Sequence, residues 1–260
     1  MKREQLEYAL ARYGTPLYVF DLDILRQQIE RIKRNVGEEI GICYAMKANP
    51  FLTQTAEKCA DRIEVCSMGE FRICKALGIA PEKLFISGVL KKKEDLIEIL
   101  DFCGDRANYT VESVRQFHQI VEWCDAHSTE KELHIHLYPR LTSGNQFGMD
   151  ENTVKSVIRM ILVNSSLEIG GIHYFSGTQK KNLKKHQKEL MYLDEFLRNI
   201  EDELGEKIPC LEYGSGTAVP YFKGKDAETF QDEGFQGLAE AIGQMQWKGH
   251  VTIEMGRAIA

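Results

Sequence analysis

Short apolar runs alternate along the chain with longer stretches in which apolar residues recur at three- and four-residue spacing. The runs at 42–46, 62–66, 84–87, 106–109, 133–137, 169–175, 209–213 and 250–254 read as strands. The stretches at 24–35, 52–60, 69–77, 93–102, 114–126, 154–163, 183–200 and 235–246 read as helices. A strand buried on both faces shows a continuous apolar run, and a helix laid over it shows an apolar stripe. Repeated alternation of the two predicts an α/β chain of parallel β/α units closing into a (β/α)8 TIM-like barrel; an open doubly wound sheet is the main alternative.

One segment does not fit the alternation. Residues 15–20, Thr-Pro-Leu-Tyr-Val-Phe, read as an extra strand with Pro16 at its edge, where a missing N–H is tolerated. At the other end the chain stops at Ala258-Ile259-Ala260, directly after the last strand. Together these features predict an N-terminal segment, 1–22, whose strand joins a β-domain that follows residue 260, and a barrel over 23–260.

A barrel assembles its site from the segments just after its strands. Polar and glycine-rich residues gather there: Lys47-Ala48-Asn49, Ser67-Met68-Gly69-Glu70, Ser87-Gly88, Ser176-Gly177-Thr178-Gln179, Gly214-Ser215-Gly216-Thr217, and Glu254 with Arg257. Turn chemistry alone would supply some of these glycines.

Composition narrows the classes. The chain carries 39 acidic against 33 basic side chains, a net charge of −6, which gives no general attraction to nucleic acid or an anionic membrane. No apolar run approaches the length of a membrane span, and Met1-Lys2-Arg3-Glu4-Gln5 leads into no signal core, so a cytoplasmic chain is expected. The seven cysteines are scattered without a C-x-x-C pair and read as free thiols.

Lys47, at the end of an apolar strand, points toward a partly desolvated mouth where its amine pKa is expected to fall and its nucleophilicity to rise. Barrel closure makes the first and eighth strands neighbours, so Glu254 is expected to face the same site. Gly214, Ser215 and Gly216 follow the seventh strand, where small residues let backbone N–H groups cradle a phosphate, and Arg257 would add a charged contact. His134, His136 and His173 lack a carboxylate or thiol completing a metal pattern, and no metal site is expected. The Lys180-Lys181 and Lys184-Lys185 pairs, and the Lys91-Lys92-Lys93 run, read as solvated helix faces.

The ordered series Tyr44-Ala45-Met46-Lys47-Ala48-Asn49, Ser67-Met68-Gly69-Glu70, Gln146-Phe147-Gly148, His173–Gln179, Gly214–Thr217 and Glu254-Met255-Gly256-Arg257 resembles the fold-type III pyridoxal-phosphate decarboxylases. These are the diaminopimelate, ornithine and arginine decarboxylases, and the spacing is closest to the diaminopimelate branch. The resemblance implies a barrel followed by a β-domain, a head-to-tail homodimer, and pyridoxal 5'-phosphate as cofactor. It assigns Lys47 to covalent attachment, Gly214, Ser215, Gly216, Thr178 and Arg257 to the phosphate region, and Glu254 to the pyridine nitrogen.

Three departures accompany it. Phe175 aligns with the histidine that usually stacks on the cofactor, His136 with an arginine near the phosphate, and Glu64 with an aspartate under the ring. The implied reaction is decarboxylation of meso-diaminopimelate to L-lysine. Another or carrier-linked amino acid, a racemase and a non-catalytic cofactor-binding protein are the alternatives, and the isolated 260-residue piece is expected to have little activity.

Overall fold

A computed structural model describes residues 3–127, 133–220 and 232–260. The strands are β1 (Ile40–Ala45), β2 (Arg62–Val65), β3 (Leu84–Ile86), β4 (Asn108–Val111), β5 (Ile135–Leu141), β6 (Leu167–Ile169), β7 (Ile172–Phe175), β8 (Cys210–Gly214) and β9 (His250–Met255). The helices are α1 (Arg3–Tyr13), α2 (Leu22–Val36), α3 (Thr53–Ala56), α4 (Met68–Ala76), α5 (Lys93–Cys103), α6 (Val114–His127), α7 (Glu151–Leu162), α8 (Leu183–Leu204) and α9 (Asp232–Gly243).

All strand pairings are parallel, and the sheet runs β4-β3-β2-β1-β9-β8-β7-β5 and closes through β4–β5. β6 pairs only with β5 and occupies the same barrel position as β7, so the nine strands form a closed eight-position barrel. Gly170 and Gly171 divide that position. A Cβ on Gly170 would lie 2.3 Å from the Tyr138 ring, and one on Gly171 would lie 2.2 Å from the Cys210 carbonyl oxygen. Both glycines therefore make room for Tyr138 inside the barrel.

Alternation decides which side chains enter the interior. Ile42 and Tyr44 of β1 join the large core shared with the helices, whereas Cys43 points inward and packs with Phe85, Tyr138 and Cys210. Phe85 meets Tyr138 edge to face with centroids 5.0 Å apart, and Arg62 lies over the Tyr138 ring while pairing with Glu212 at 3.0 Å. This plug fills the barrel below the mouth.

Helix α2 shows the outer layer's logic. Asp21 caps it by accepting from the backbone N–H groups of Asp23 and Ile24, Gly37 ends it at φ 86°, and Leu25, Ile29, Ile32 and Val36 form the buried stripe. Among the described residues, no helix is long and apolar enough to cross a membrane.

Two expected elements differ. Residues 15–20 are in no strand of the barrel sheet, and Tyr18 is 88% exposed; the partner expected for them is a β-domain after residue 260. The helix expected at 52–60 contracts to the 3₁₀ turn Pro50–Leu52 and α3.

Candidate functional site

Lys47 sits in the 3₁₀ turn Met46–Ala48 directly after β1. Strand β1 lies between β2 and β9, with Ala45 opposite Glu64 and Cys43 opposite Glu254. The Lys47 Nζ donates to Glu64 Oε2 at 2.6 Å and to Glu254 Oε1 at 3.2 Å, and lies 3.5 Å from Cys66 Sγ.

This geometry reverses the expected direction of the lysine shift. Burial alone would depress the amine, but Glu254 and Glu64 outweigh it and hold Lys47 above the usual lysine range. Glu64 moves upward too: burial first, then the Glu254 charge, raise its carboxyl against the opposing pull of Lys47. Ser87 Oγ donates to Glu64 Oε1 at 2.6 Å and Cys66 Sγ donates to the same atom at 3.1 Å.

The second Glu254 oxygen, Oε2, is buried without a hydrogen bond and lies 3.3 Å from His173 Nε2. Burial, followed by the Arg140 charge, pushes His173 down to about 3, so its ring is neutral at ordinary pH. Beside it in register, Arg140 donates from Nη1 to both oxygens of buried Glu112, at 3.1 and 2.9 Å. The Arg140 guanidinium also lies 5.5 Å from the Phe147 ring centre and 5.9 Å from that of Phe175.

Phe175 ends β7 and packs against Gly214, where a Cβ would come within 2.5 Å of the ring. The loops after β7 and β8 are joined by Lys180 N donating to Gly216 O and Ala218 N donating to Lys180 O. Gly216 has φ +59°, and a Cβ there would lie 1.9 Å from the Gly177 carbonyl oxygen. Next to it, the buried Ser215 hydroxyl has no hydrogen-bond partner. A cavity of about 260 Å³ opens here, lined among others by Lys47, Phe175, Thr178, Ser215, Gly216, Glu254 and Arg257.

The donor set fits an aldehyde cofactor carrying a phosphate and a basic ring nitrogen. Lys47 offers the amine, Ser215 an uncommitted buried hydroxyl beside a loop whose glycine admits close approach, and Glu254 an uncommitted carboxylate oxygen. Replacing Gly216 with alanine is expected to displace the Gly177–Thr178 segment. Affinity for pyridoxal phosphate, followed by fluorescence titration, should fall roughly tenfold or more, equivalent to about 1.4 kcal/mol; unchanged affinity would place the phosphate elsewhere.

His136 is not brought to this site. It lies four residues before Arg140 on β5, roughly 13 Å down the strand, and its Nδ1 is 3.5 Å from Glu168 Oε2. The side chain on that face near the mouth is Arg140. The expected strand ends at 137, whereas β5 continues through Pro139 to Leu141. Two lysines also depart from the solvated-face reading. Lys180 is buried and pairs with Glu189 at 2.7 Å, and the Lys91 amine donates to Gly88 O, Thr110 O and Thr110 Oγ1. Among the described residues, no group of three or more His, Cys, Asp or Glu side chains could hold a metal ion.

Residues 22–260 match the family model described as the pyridoxal binding domain of pyridoxal-dependent decarboxylases. The L-glutamyl-[BtrI acyl-carrier protein] decarboxylase of Niallia circulans is 26% identical over 83% of this chain and 53% of its own length. The diaminopimelate decarboxylase of Methanocaldococcus jannaschii is 27% identical over 95% of this chain and 60% of its own. The chain thus spans between 53% and 60% of these curated relatives. A crystal structure of diaminopimelate decarboxylase from M. jannaschii superposes with a TM-score of 0.82 at 23% identity, covering 98% of this chain and 63% of that one, and shows the shared fold. The chain belongs to the pyridoxal-dependent decarboxylase family, whose pyridoxal-binding domain it carries and whose cofactor is pyridoxal phosphate.

Proposed function

We propose that residues 23–260 bind pyridoxal phosphate covalently through Lys47 and serve the decarboxylation of an amino acid, with meso-diaminopimelate the leading substrate and L-lysine the product. The observation that carries the cofactor reading is the Lys47 amine held between Glu64 and Glu254 at a cavity that also reaches Ser215 and Gly216. Similarity to several diaminopimelate decarboxylases supports the substrate.

When bound, pyridoxal phosphate supplies the electron sink that accepts the pair left by carbon dioxide. Backbone N–H groups of Gly214, Ser215 and Gly216, with the Ser215 and Thr178 hydroxyls and the Arg257 guanidinium, would hold its phosphate. Glu254 would pair with the ring nitrogen and favour its protonated form through charge. Phe175 would cover a ring face and exclude water there, but an aromatic hydrocarbon carries no proton. Lys47 would hold the cofactor until a substrate amine takes its place, and would then be a free amine again. The homodimer implied by the family resemblance belongs to the same reading.

A second substrate reading, a glutamyl group tethered to a carrier protein, rests on the likeness to the Niallia circulans enzyme. Carboxyl-labelled substrates separate the possibilities. Labelled carbon dioxide from meso-diaminopimelate, and none from a carrier-bound glutamyl thioester, is the expected result. Retention of the label with inversion at the α-carbon would replace decarboxylation by racemisation.

A further inference from the structure

Glu64 is committed to Lys47 more fully than cofactor binding requires. Its side chain is 3% exposed, and both oxygens are engaged: Oε1 accepts from Ser87 and Cys66, and Oε2 accepts from Lys47 Nζ at 2.6 Å. The Lys47 contact with Glu254 is longer, at 3.2 Å. Lys47 approaches from the turn after β1, Cys66 and Ser87 from just beyond the ends of β2 and β3, and Glu254 from β9. Cys43, Lys91 and His173 feel the Glu64 charge through space.

Attachment of an aldehyde to Lys47 makes a proton demand. The ammonium must first shed a proton; the free nitrogen then adds to the aldehyde carbon, a C=N bond forms, and the aldehyde oxygen departs as water. Two carboxylates hold the ammonium charged, so exchange with bulk water supplies little free amine at neutral pH. Once Lys47 is neutral, Glu64 and Glu254 become neighbouring buried anions without their cation. Burial and the Glu254 charge both raise the proton affinity of Glu64, so the proton has a receptive destination within one hydrogen bond.

We infer that Glu64 is the proton acceptor that activates Lys47 for cofactor attachment and returns the proton when Lys47 is displaced. Glu254, with Oε2 uncommitted, remains available to the ring nitrogen. Ser87 acts as a positioning residue, holding the Glu64 carboxylate toward Nζ by its hydrogen bond to the other oxygen. This inference rests on Lys47 being the attachment point.

The experiment is rapid-mixing absorbance of pyridoxal phosphate capture by the chain across a pH series, followed by borohydride reduction and peptide mass analysis. In the wild type, capture should slow toward acid as Glu64 becomes protonated and ceases to accept. Glu64→Gln, which keeps shape and loses the acceptor, should slow capture about 10²-fold, a common size for general-base removal, and replace the plateau above that acid limb by a rate that keeps climbing with pH, because Lys47 must then lose its proton to solvent. Glu64→Asp should retain the limb at a reduced rate.

Ser87→Ala removes a donor that stabilises the anion and should move the limb to higher pH. Wild-type capture rate and pH profile in Glu64→Gln would overturn the proton role while leaving the attachment reading intact. Absence of any Lys47 adduct in the wild type would sink the attachment reading itself. If circular dichroism shows Glu64→Gln unfolded, an unmoved limb in Ser87→Ala overturns the inference.

Discussion

Replacing Lys47 with alanine is expected to eliminate covalent capture of pyridoxal phosphate: after borohydride reduction, the wild-type chain gains one pyridoxyl mass and the variant gains none. Two other lysines test the assignment. Burial pushes Lys91 down to about 8, so on acidity alone it would supply more free amine than Lys47 near neutrality. Its nitrogen, however, is occupied by the Gly88 and Thr110 carbonyls and the Thr110 hydroxyl, outside the cavity lining. Lys180 is likewise tied to Glu189. Geometry therefore outranks acidity here, because a covalent partner has to be reached before its proton count matters. Lys47→Arg should keep the charge against Glu64 and Glu254, and with it the wild-type melting temperature, while still forming no adduct. An adduct of undiminished yield in Lys47→Ala, mapped to Lys91 or Lys180, would refute the assignment.

Arg140→Ala should produce the largest stability loss. Removing the guanidinium leaves Glu112, only 5% exposed, as a buried carboxylate without its cation. Breaking one side of such a pair costs about 3–5 kcal/mol. For a chain of this size that loss corresponds to a Tm decrease of roughly 6–20 °C. Arg140→Met restores volume but not charge and should remain destabilised. Adding Glu112→Leu removes the stranded charge and should recover much of the loss, since replacing both members of a buried pair by apolar side chains is often near neutral. Thermal and urea unfolding of the two single variants and the double variant would check this. A loss below about 1 kcal/mol in Arg140→Ala would put the pair in the range of solvent-screened surface bridges.

Why Arg140 escaped the sequence reading is instructive. The barrel was legible because each strand's outer face, such as Ile42 and Tyr44 or Ile135 and Leu137, joins a helix-covered core and leaves a dense apolar signature. Closure then followed from counting β/α units, and it brought Lys47 beside Glu254 although they are far apart in sequence. Side chains facing the barrel axis follow no such rule: Arg62, Glu64, Glu112, Arg140, His173 and Glu212 are paired through space, and their partners lie on other strands or just after them. The expected strand stops at Leu137, three residues before Arg140, and the family resemblance alone places His136 at the cofactor. The direction of the Lys47 shift was equally hidden, because it turns on two carboxylates, Glu254 and then Glu64, together outweighing the burial of the amine.

The plug formed by Cys43, Phe85, Tyr138 and Cys210 bears on traffic through the molecule. With the barrel axis filled and Tyr138 braced by Phe85 and Arg62, the cavity beside Lys47 has no passage along the axis among the described residues. On the proposed reading, carbon dioxide formed beside Lys47 would therefore leave without passing along the barrel axis.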